Sequence, residues 1–274
     1  MWDLGIGVGL RAEMMDELEE VCAQVDFVEV NCPRRWTESL QTSFQFVAAR
    51  KPVVVHSITL SVGTQAEMDP QALDFVSEVA DFVSAPWVSE HLSFTDAGDV
   101  SISTFIPMPY TEEAVNVVAR NIRHMARVLR RPVLVENVTH SIRWPQDEMP
   151  EVAFINRVLS EADCGLLLDV TNLHINATTL GYDKWEFLEQ LDRDRVVQMH
   201  VAGYTTAADG RLFDSHVGGV DAAVLGLAEW AFRHTSCRSA IIERDQQLSG
   251  LNDVVPDLIL LREAFERALG ARRS

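Results

Sequence analysis

Eight short apolar runs punctuate the 274 residues: Leu4–Leu10, Phe27–Asn31, Pro52–Ile58, Trp87–Phe94, Pro132–Val138, Gly165–Asn172, Val196–Tyr204 and Ser239–Asp245. All but the first contain or close on a polar residue able to hydrogen-bond or bind a metal, among them Glu29, His56, Glu90, His91, Glu136, Asn137, Asp169, Asn172, His200, Glu243 and Asp245. Between the runs lie segments with apolar residues at spacings of three and four, the signature of one-faced helices. They span Ala12–Gln24, Leu40–Arg50, Pro70–Val83, Thr111–Leu129, Pro150–Glu161, Lys184–Leu191, Ala222–His234 and Asn252–Leu269. Strands that alternate with helices run parallel, because a crossover helix separates each pair. Eight such units in a chain of this length predict a (β/α)8 TIM barrel, a single catalytic domain over residues 1–274. A doubly wound open sheet is the rival, weakened by the absence of a GxGxxG turn or a P-loop. Gly5, Gly7 and Gly9 alternate within the first strand and read as close packing at the barrel seam.

In a barrel, strand C-termini share one mouth, so the polar endings are predicted to converge there. Two insertions decorate that mouth. Residues Ser93 to Ser101 read as a hairpin with its turn at Asp96–Asp99. The long segment Thr205–Val220 carries Asp214-Ser215-His216.

A buried carboxylate or imidazole without a partner costs several kcal/mol, roughly 2–7 for a neutral polar group and more for a charge. One such group is easily a satisfied core residue; several in equivalent positions call for a common compensating charge, which bound metal supplies. Imidazole nitrogens of His56, His91, His200 and His216 suit a borderline transition metal. Glu136 can bridge two cations through its two oxygens. Asp169 and Asn172, three apart at a strand-to-loop turn, can converge on one ion. Asp214 and His216, two apart in an extended loop, point to the same side. Glu243 closes the ring. These nine donors include no thiolate and exceed what one zinc ion takes, so two or three ions are expected, with iron, manganese and zinc all compatible. Glu29 and Glu90 are expected to orient ligands by hydrogen bonds. His140 is a candidate to touch substrate, His174 lies near the site, and His124 and His234 read as surface residues of helices.

The net charge of −18 and pI near 4.7 argue against a nucleic-acid backbone as the main partner. No run of about 18 apolar residues offers a membrane span, and the start Met1-Trp2-Asp3-Leu4 lacks a signal-peptide pattern, so a cytoplasmic location is expected. Cys22, Cys32, Cys164 and Cys237 are scattered without a CxxC pair, which argues against a disulfide framework or zinc knuckle.

Taken in order, several segments resemble the multinuclear non-heme iron-dependent oxidative enzymes, the family of the methanobactin-biosynthesis oxidase. They are Gly7-Val8-Gly9-Leu10-Arg11, His56-Ser57-Ile58-Thr59-Leu60-Ser61, Ser89-Glu90-His91-Leu92-Ser93-Phe94, Pro109-Tyr110-Thr111-Glu112-Glu113-Ala114 and Glu136-Asn137-Val138. Leu166-Leu167-Leu168-Asp169-Val170-Thr171-Asn172, His200-Val201-Ala202-Gly203-Tyr204, Asp214-Ser215-His216 and Glu243-Arg244-Asp245 complete the set. The resemblance implies a barrel holding two or three iron ions of mixed Fe(II)/Fe(III) state, with dioxygen as co-substrate. It carries the ligand roles onto His56, His91, Glu136, Asp169, Asn172, His200, Asp214, His216 and Glu243, with Glu136, Asp169 and Glu243 as catalytic carboxylates. It also implies a ribosomal precursor peptide as substrate, modified at cysteine, and a small partner protein that binds the peptide's leader. The chain departs from the family after the second strand, where many relatives carry a Glu-Asn pair and this one reads Cys32-Pro33-Arg34-Arg35-Trp36. Arg34 or Arg35 can hold a peptide carboxylate through a guanidinium fork, the alternative being plain exposed loop arginines. Two other readings stay open: a divalent-metal sugar isomerase or phosphodiesterase-like barrel, and a metal-binding protein without turnover.

Overall fold

A computed structural model describes residues 3–97 and 100–272. The chain opens with β1 (Gly5–Leu10), α1 (Leu18–Gln24), β2 (Phe27–Asn31), α2 (Glu38–Ala48), β3 (Val53–Ser57), α3 (Pro70–Phe82) and β4 (Val88–His91). The hairpin β5 (Ser93–Ala97) and β6 (Val100–Pro107) follows, then α4 (Glu112–Leu129), β7 (Val133–Glu136), α5 (Glu151–Ala162) and β8 (Gly165–Asp169). Helices α6 (Val170–Leu180) and α7 (Lys184–Gln190) lead to β9 (Val196–Ala202) and the short ribbon β10 (Thr205–Thr206) with β11 (Leu212–Phe213). Helix α8 (Ala222–His234), β12 (Ser239–Glu243) and α9 (Val255–Arg272) complete the chain.

Eight of these strands close into a parallel barrel in the order β1-β12-β9-β8-β7-β4-β3-β2, with β2 paired back to β1. Helices surround it, which makes the architecture the (β/α)8 barrel read from the alternating runs. Most of the core lies between strands and helices. A smaller cluster of Phe27, Val54, Trp87, Leu134, Leu167 and Ile241 packs separately, all with at most 1 % exposure. These six residues plug the barrel lumen. Because side chains on a strand repeat their direction every second residue, the next position on the same face is Glu29, His56, Ser89, Glu136, Asp169 or Glu243. The apolar plug is thus the floor on which the polar layer stands. Gly7 leaves room for it: a Cβ there would lie 2.6 Å from the Phe27 carbonyl oxygen and 2.8 Å from its ring.

Two elements differ from the sequence reading. The segment Ala12–Gln24 is not one helix: a 3₁₀ turn at Ala12–Met14 precedes α1, which begins at Leu18. Buried Met14 continues the apolar spacing across the turn, so periodicity cannot distinguish the two. Asp169 and Asn172 sit not at a strand-to-loop turn but at a helix start. Asp169 caps α6 by accepting from the backbone N–H groups of Thr171 and Asn172, both at 2.7 Å. Every residue from Val170 to Ala177 is buried, so α6 has no polar face to betray it. The expected hairpin after the fourth barrel strand is present as antiparallel β5 and β6, while residues 98 and 99 of its turn lie outside the described residues. Among the described residues no helix is long and apolar enough to cross a membrane.

Candidate metal centre

Parallel register brings the strand ends to one level. His91 is opposite Glu136, Asp169 opposite His200, and Asn31 opposite His56. Three overlapping triads result, each with ligand atoms within 4.8 Å of one another: His56–His91–Glu136, Glu136–Asp169–His200 and Asp169–His216–Glu243. Glu136 and Asp169 are each shared by two triads.

The imidazoles show how each triad is aimed. His56 Nε2 and His91 Nε2 lie 3.4 and 3.5 Å from Glu136 Oε2. His200 Nδ1 faces the other oxygen, 3.1 Å from Glu136 Oε1, and is 3.0 Å from Glu243 Oε2. The two oxygens of Glu136 therefore look into two neighbouring positions. Two ligands at roughly 2.1 Å from one ion and at right angles to each other lie about 3.0 Å apart, close to these spacings. Behind each ring stands a second polar group. His56 Nδ1 is 2.8 Å from Ser89 Oγ, His91 Nδ1 is 3.4 Å from Glu90, and His200 Nε2 is 2.9 Å from Glu29. His216 Nδ1 is 2.7 Å from Asp245 Oδ2, while its Nε2 is 2.7 Å from Asp214. Such backing sets the tautomer and leaves one nitrogen lone pair for a metal. Asp214 and His216 do meet as expected, but not through extended backbone: His216 has φ 49°, a left-handed conformation costly for a non-glycine residue.

Further contacts hold this layer. Arg11 spans Glu243 Oε1, at 2.6 Å, and Asp245, so it ties β1 to the end of β12. Asn137 clamps the Asp169 backbone, its amide oxygen accepting from the Asp169 N–H and its amide donating to the Asp169 carbonyl, both at 2.9 Å. Gln198 donates to Glu29 and accepts from Trp87 Nε1 at 2.8 Å, linking the plug to His200.

The charges are strongly coupled. Burial pushes the Glu136 carboxyl up, but His200, His91 and His56 outweigh it and hold it at about 2. Burial, reinforced by Glu136 and Asp214, pushes Asp169 well above the usual carboxylate range. Burial disfavours charge on His200, yet Glu29, Glu136 and Glu243 raise it well above an ordinary imidazole. His216 is likewise raised, to about 12, because Glu243, Asp214 and Asp245 overcome its burial. This many carboxylates demand cations, and the donor atoms fit metal ions. Glu136 Oε2, Asp169 Oδ2 and Asn172 Oδ1 are all buried without a hydrogen-bond partner. Unpaired polar atoms at this density are expensive unless an ion completes them.

Above the triads a cavity of about 470 Å³ opens, bounded by Phe105 of β6, Val138 and Thr139 after β7, and Ser215 after β11. Phe105 stacks on His91, ring centroids 3.7 Å apart. Seven of the nine nominated ligands line this cavity, and Asp169 and His200 join them through the triads beneath it. Three nominated substrate residues stand apart from it. Arg34 and Arg35 are exposed in the loop after β2, and His140 lines a neighbouring cavity, 2.7 Å from Tyr110 Oη. Cys32 is buried, and burial pushes its thiol up to about 12, which makes it a poor nucleophile. His174 touches Lys184, at 2.8 Å, and none of the triads. Reasoning from strand endings did not assign roles to Arg11, Asn31, Ser89 and Gln198. Asn31 lines the cavity with a buried, unpartnered Oδ1, and its place at the end of a strand was the available signal.

Comparison with known proteins places this geometry in context. Residues 5–266 match the model of a family described as RiPP precursor modification enzyme MbnB/TglH/ChrH. A UPF0276 protein of Shewanella sediminis is 31 % identical over 262 residues, covering 94 % of this chain and 93 % of that protein. A UPF0276 protein of Caulobacter vibrioides is 33 % identical over 273 residues, covering 98 % and 96 %. Among solved structures, a D-tagatose 3-epimerase-like protein superposes with TM-score 0.62 at 13 % identity over 97 % of this chain and 99 % of that one. Endonuclease IV from Thermus thermophilus gives TM-score 0.62 at 16 % identity over 96 % and 99 %. At such identities the structural likeness shows the shared barrel alone.

Proposed function

Because the chain belongs to the family of RiPP precursor modification enzymes MbnB/TglH/ChrH, a family of TIM-barrel enzymes that modify ribosomally made precursor peptides, we propose that it is an iron- and dioxygen-dependent oxidase acting on a cysteine of such a peptide. The observation that carries this reading is the set of three triads joined through Glu136 and Asp169. Joined triads suit two or three ions held close together, whereas one mononuclear site needs only a single triad and an open position. His56 and His91 with Glu136 would hold one ion, Glu136 with Asp169 and His200 a second, and Asp169 with His216 and Glu243 a third. Asn172, through its unpartnered Oδ1, and Asp214, beside His216, would complete the donor set at the edge of the ring. The all-nitrogen-and-oxygen donor set suits iron, which with dioxygen supplies the oxidising equivalents.

The rest of the work belongs to the chain. The apolar plug excludes water from below the triads, and Phe105 covers His91 from above. Glu29, Ser89, Glu90 and Asp245 hold the imidazoles in the orientations metal binding requires. Glu136 and Asp169, each shared by two triads, would set the spacing between ions, and with Glu243 they are proposed to form the reacting centre. Arg34 and Arg35, exposed after β2, are proposed to meet a carboxylate of the peptide outside the cavity. A separate small protein that binds the leader segment goes with this reading, as does a cytoplasmic site of action on a newly made peptide.

The test is anaerobic loading with iron, addition of oxygen, and mass spectrometry of a peptide encoded beside the gene in the presence of its leader-binding partner. A mass change confined to a cysteine is expected. Full iron loading with no change in mass and no oxygen uptake overturns the oxidase reading. Turnover with zinc or manganese and without oxygen would instead support a divalent-metal isomerase or phosphodiesterase.

A further inference from the structure

A second cavity of about 480 Å³ lies beside the metal cavity and matches it in size. The two share a wall: Val138 and Thr139 line the first, and the next residue, His140, lines the second. At its base is a polar network that the metal centre does not use. His140 Nε2 is 2.7 Å from Tyr110 Oη and 3.4 Å from Glu151 Oε2. Tyr182 Oη donates to the same Glu151 oxygen at 3.0 Å, and the Asn176 amide donates to the other at 3.4 Å. Burial disfavours charge on His140. Its Nδ1 has no partner although His140 is only 7 % exposed.

The walls and rim complete the picture. Met149, Tyr182 and Phe187 give the cavity apolar sides. Around the opening stand Asp147, Glu148, Asp183 and Glu186, against the single lining guanidinium of Arg143. Three of the four carboxylates are positioned by backbone donors, Glu186 accepts from the Gln190 side-chain amide at 3.0 Å, and none of the four forms an ion pair with a cation among the described residues. Asp147 accepts from the N–H groups of Tyr110 and Trp144, at 2.8 and 3.0 Å. Glu148 accepts from Glu112 N–H at 2.9 Å, and Asp183 caps α7. Arg143 donates to the Leu180 carbonyl at 3.2 Å. An apolar sleeve, a ring of carboxylates and a buried ring nitrogen without a partner suit a long aliphatic side chain ending in a cation.

We propose that this cavity binds a lysine or arginine side chain of the peptide substrate, a few residues from the one modified in the neighbouring cavity. The peptide reading supplies only the source of the basic group. The pocket's preference for a cation stands on its own residues and does not require iron.

The experiment therefore uses the full chain both stripped of metal and loaded with iron, titrated with N-acetyl-lysine amide and N-acetyl-arginine amide. N-acetyl-norleucine amide serves as the uncharged match, and amide NMR shifts and calorimetry report binding. The cationic probes should bind roughly three- to tenfold tighter than norleucine amide, the effect of a few partly exposed charge pairs. They should shift Tyr182 and Phe187, with and without iron. The double variant Glu148→Gln with Glu186→Gln keeps the hydrogen-bonding amides and should remove most of that preference. Equal binding of norleucine amide, an unchanged preference in the double variant, or shifts confined to Asn31, Thr139 and His216 would each overturn the assignment. Failure here with a peptide that is still oxidised would leave the oxidase reading intact, and cation binding without oxidation would do the reverse.

Discussion

Glu136→Gln tests whether the triads are metal sites and whether they are shared as their geometry implies. Glu136 belongs to His56–His91–Glu136 and to Glu136–Asp169–His200, but not to Asp169–His216–Glu243. Replacing its charged carboxylate by an isosteric amide should therefore remove two ions and leave one, whereas Glu243→Gln should remove one and leave two. The thermal consequence can be scaled. An ion present at a hundredfold excess over its dissociation constant stabilises the folded state by about 2.7 kcal/mol. At about 2.1 cal/mol/K per residue, a chain of 274 residues unfolds with an entropy near 0.6 kcal/mol/K. Each ion then raises Tm by about 5 °C. The metal-induced rise should fall by about 10 °C in Glu136→Gln and by about 5 °C in Glu243→Gln, each compared with the same variant stripped of metal. Elemental analysis gives the ion count and scanning calorimetry the shift. A Glu136→Gln protein that keeps its full metal complement, or that loses the same number of ions as Glu243→Gln, would refute the shared-carboxylate argument.

Glu29→Gln removes the charge behind His200 but keeps an acceptor for its Nε2. Chelator competition should show metal affinity reduced by about 10–100-fold with the fold intact, and an unchanged affinity would mean that Glu29 only fills space. Trp87→Phe deletes the indole donor to Gln198, 2.8 Å away in the plug, and leaves a buried acceptor unpaired. Urea unfolding should register a loss of about 1–3 kcal/mol, and a loss below about 0.5 would count against the link. Burial raises the Glu151 carboxyl from 4.5 to about 7 against the opposing bonds from Tyr182 and Asn176, so the folded state holds this proton more tightly than the unfolded chain. Its stabilising effect is complete below pH 4.5 and is lost as pH rises towards 7. Glu151→Gln, which mimics the protonated form, should gain on the parent across that window and level off above it at about 3 kcal/mol or less, and a flat difference between pH 5 and 8 would refute the shift.

The barrel and its strand-borne candidate ligands were legible because both obey short-range rules. A parallel strand buried on both faces reads as an apolar run, and period-two alternation turns its last inward position into the site. Phe27 then Glu29, Val54 then His56, Leu134 then Glu136, Leu167 then Asp169 and Ile241 then Glu243 repeat that one step. What the sequence hid depends on contacts between distant residues. Arg11 acquires meaning only when barrel closure sets β1 beside β12 and brings Glu243 and Asp245 within reach. Helix α6 is buried all round from Val170 to Ala177, so it has no polar stripe for periodicity to find there. His140 follows two residues that line the metal cavity, yet a turn of backbone sends it to the other side of the wall. No spacing rule reports on which side of a loop a side chain falls.

The same distinction orders the three triads by how firmly they are built. His56, His91, Glu136, Asp169, His200 and Glu243 all sit at or near the ends of barrel strands, above side chains that are wholly buried. Their positions are set by the closed sheet, and an ion entering there meets ligands that already point inward. His216 is different: it comes from a loop, holds a left-handed backbone conformation, and depends on Asp214, Asp245 and, through Asp245, on Arg11 for its orientation. The third triad therefore takes Asp169 and Glu243 from the barrel and His216 from a chain of charged contacts. A substrate group entering the cavity can compete for Asp214 or Asp245 and so move His216, whereas the same group gains little by disturbing a strand end. The rigid pair of triads supplies a constant platform, and the loop-borne triad is where binding of a peptide can be felt by the metal centre.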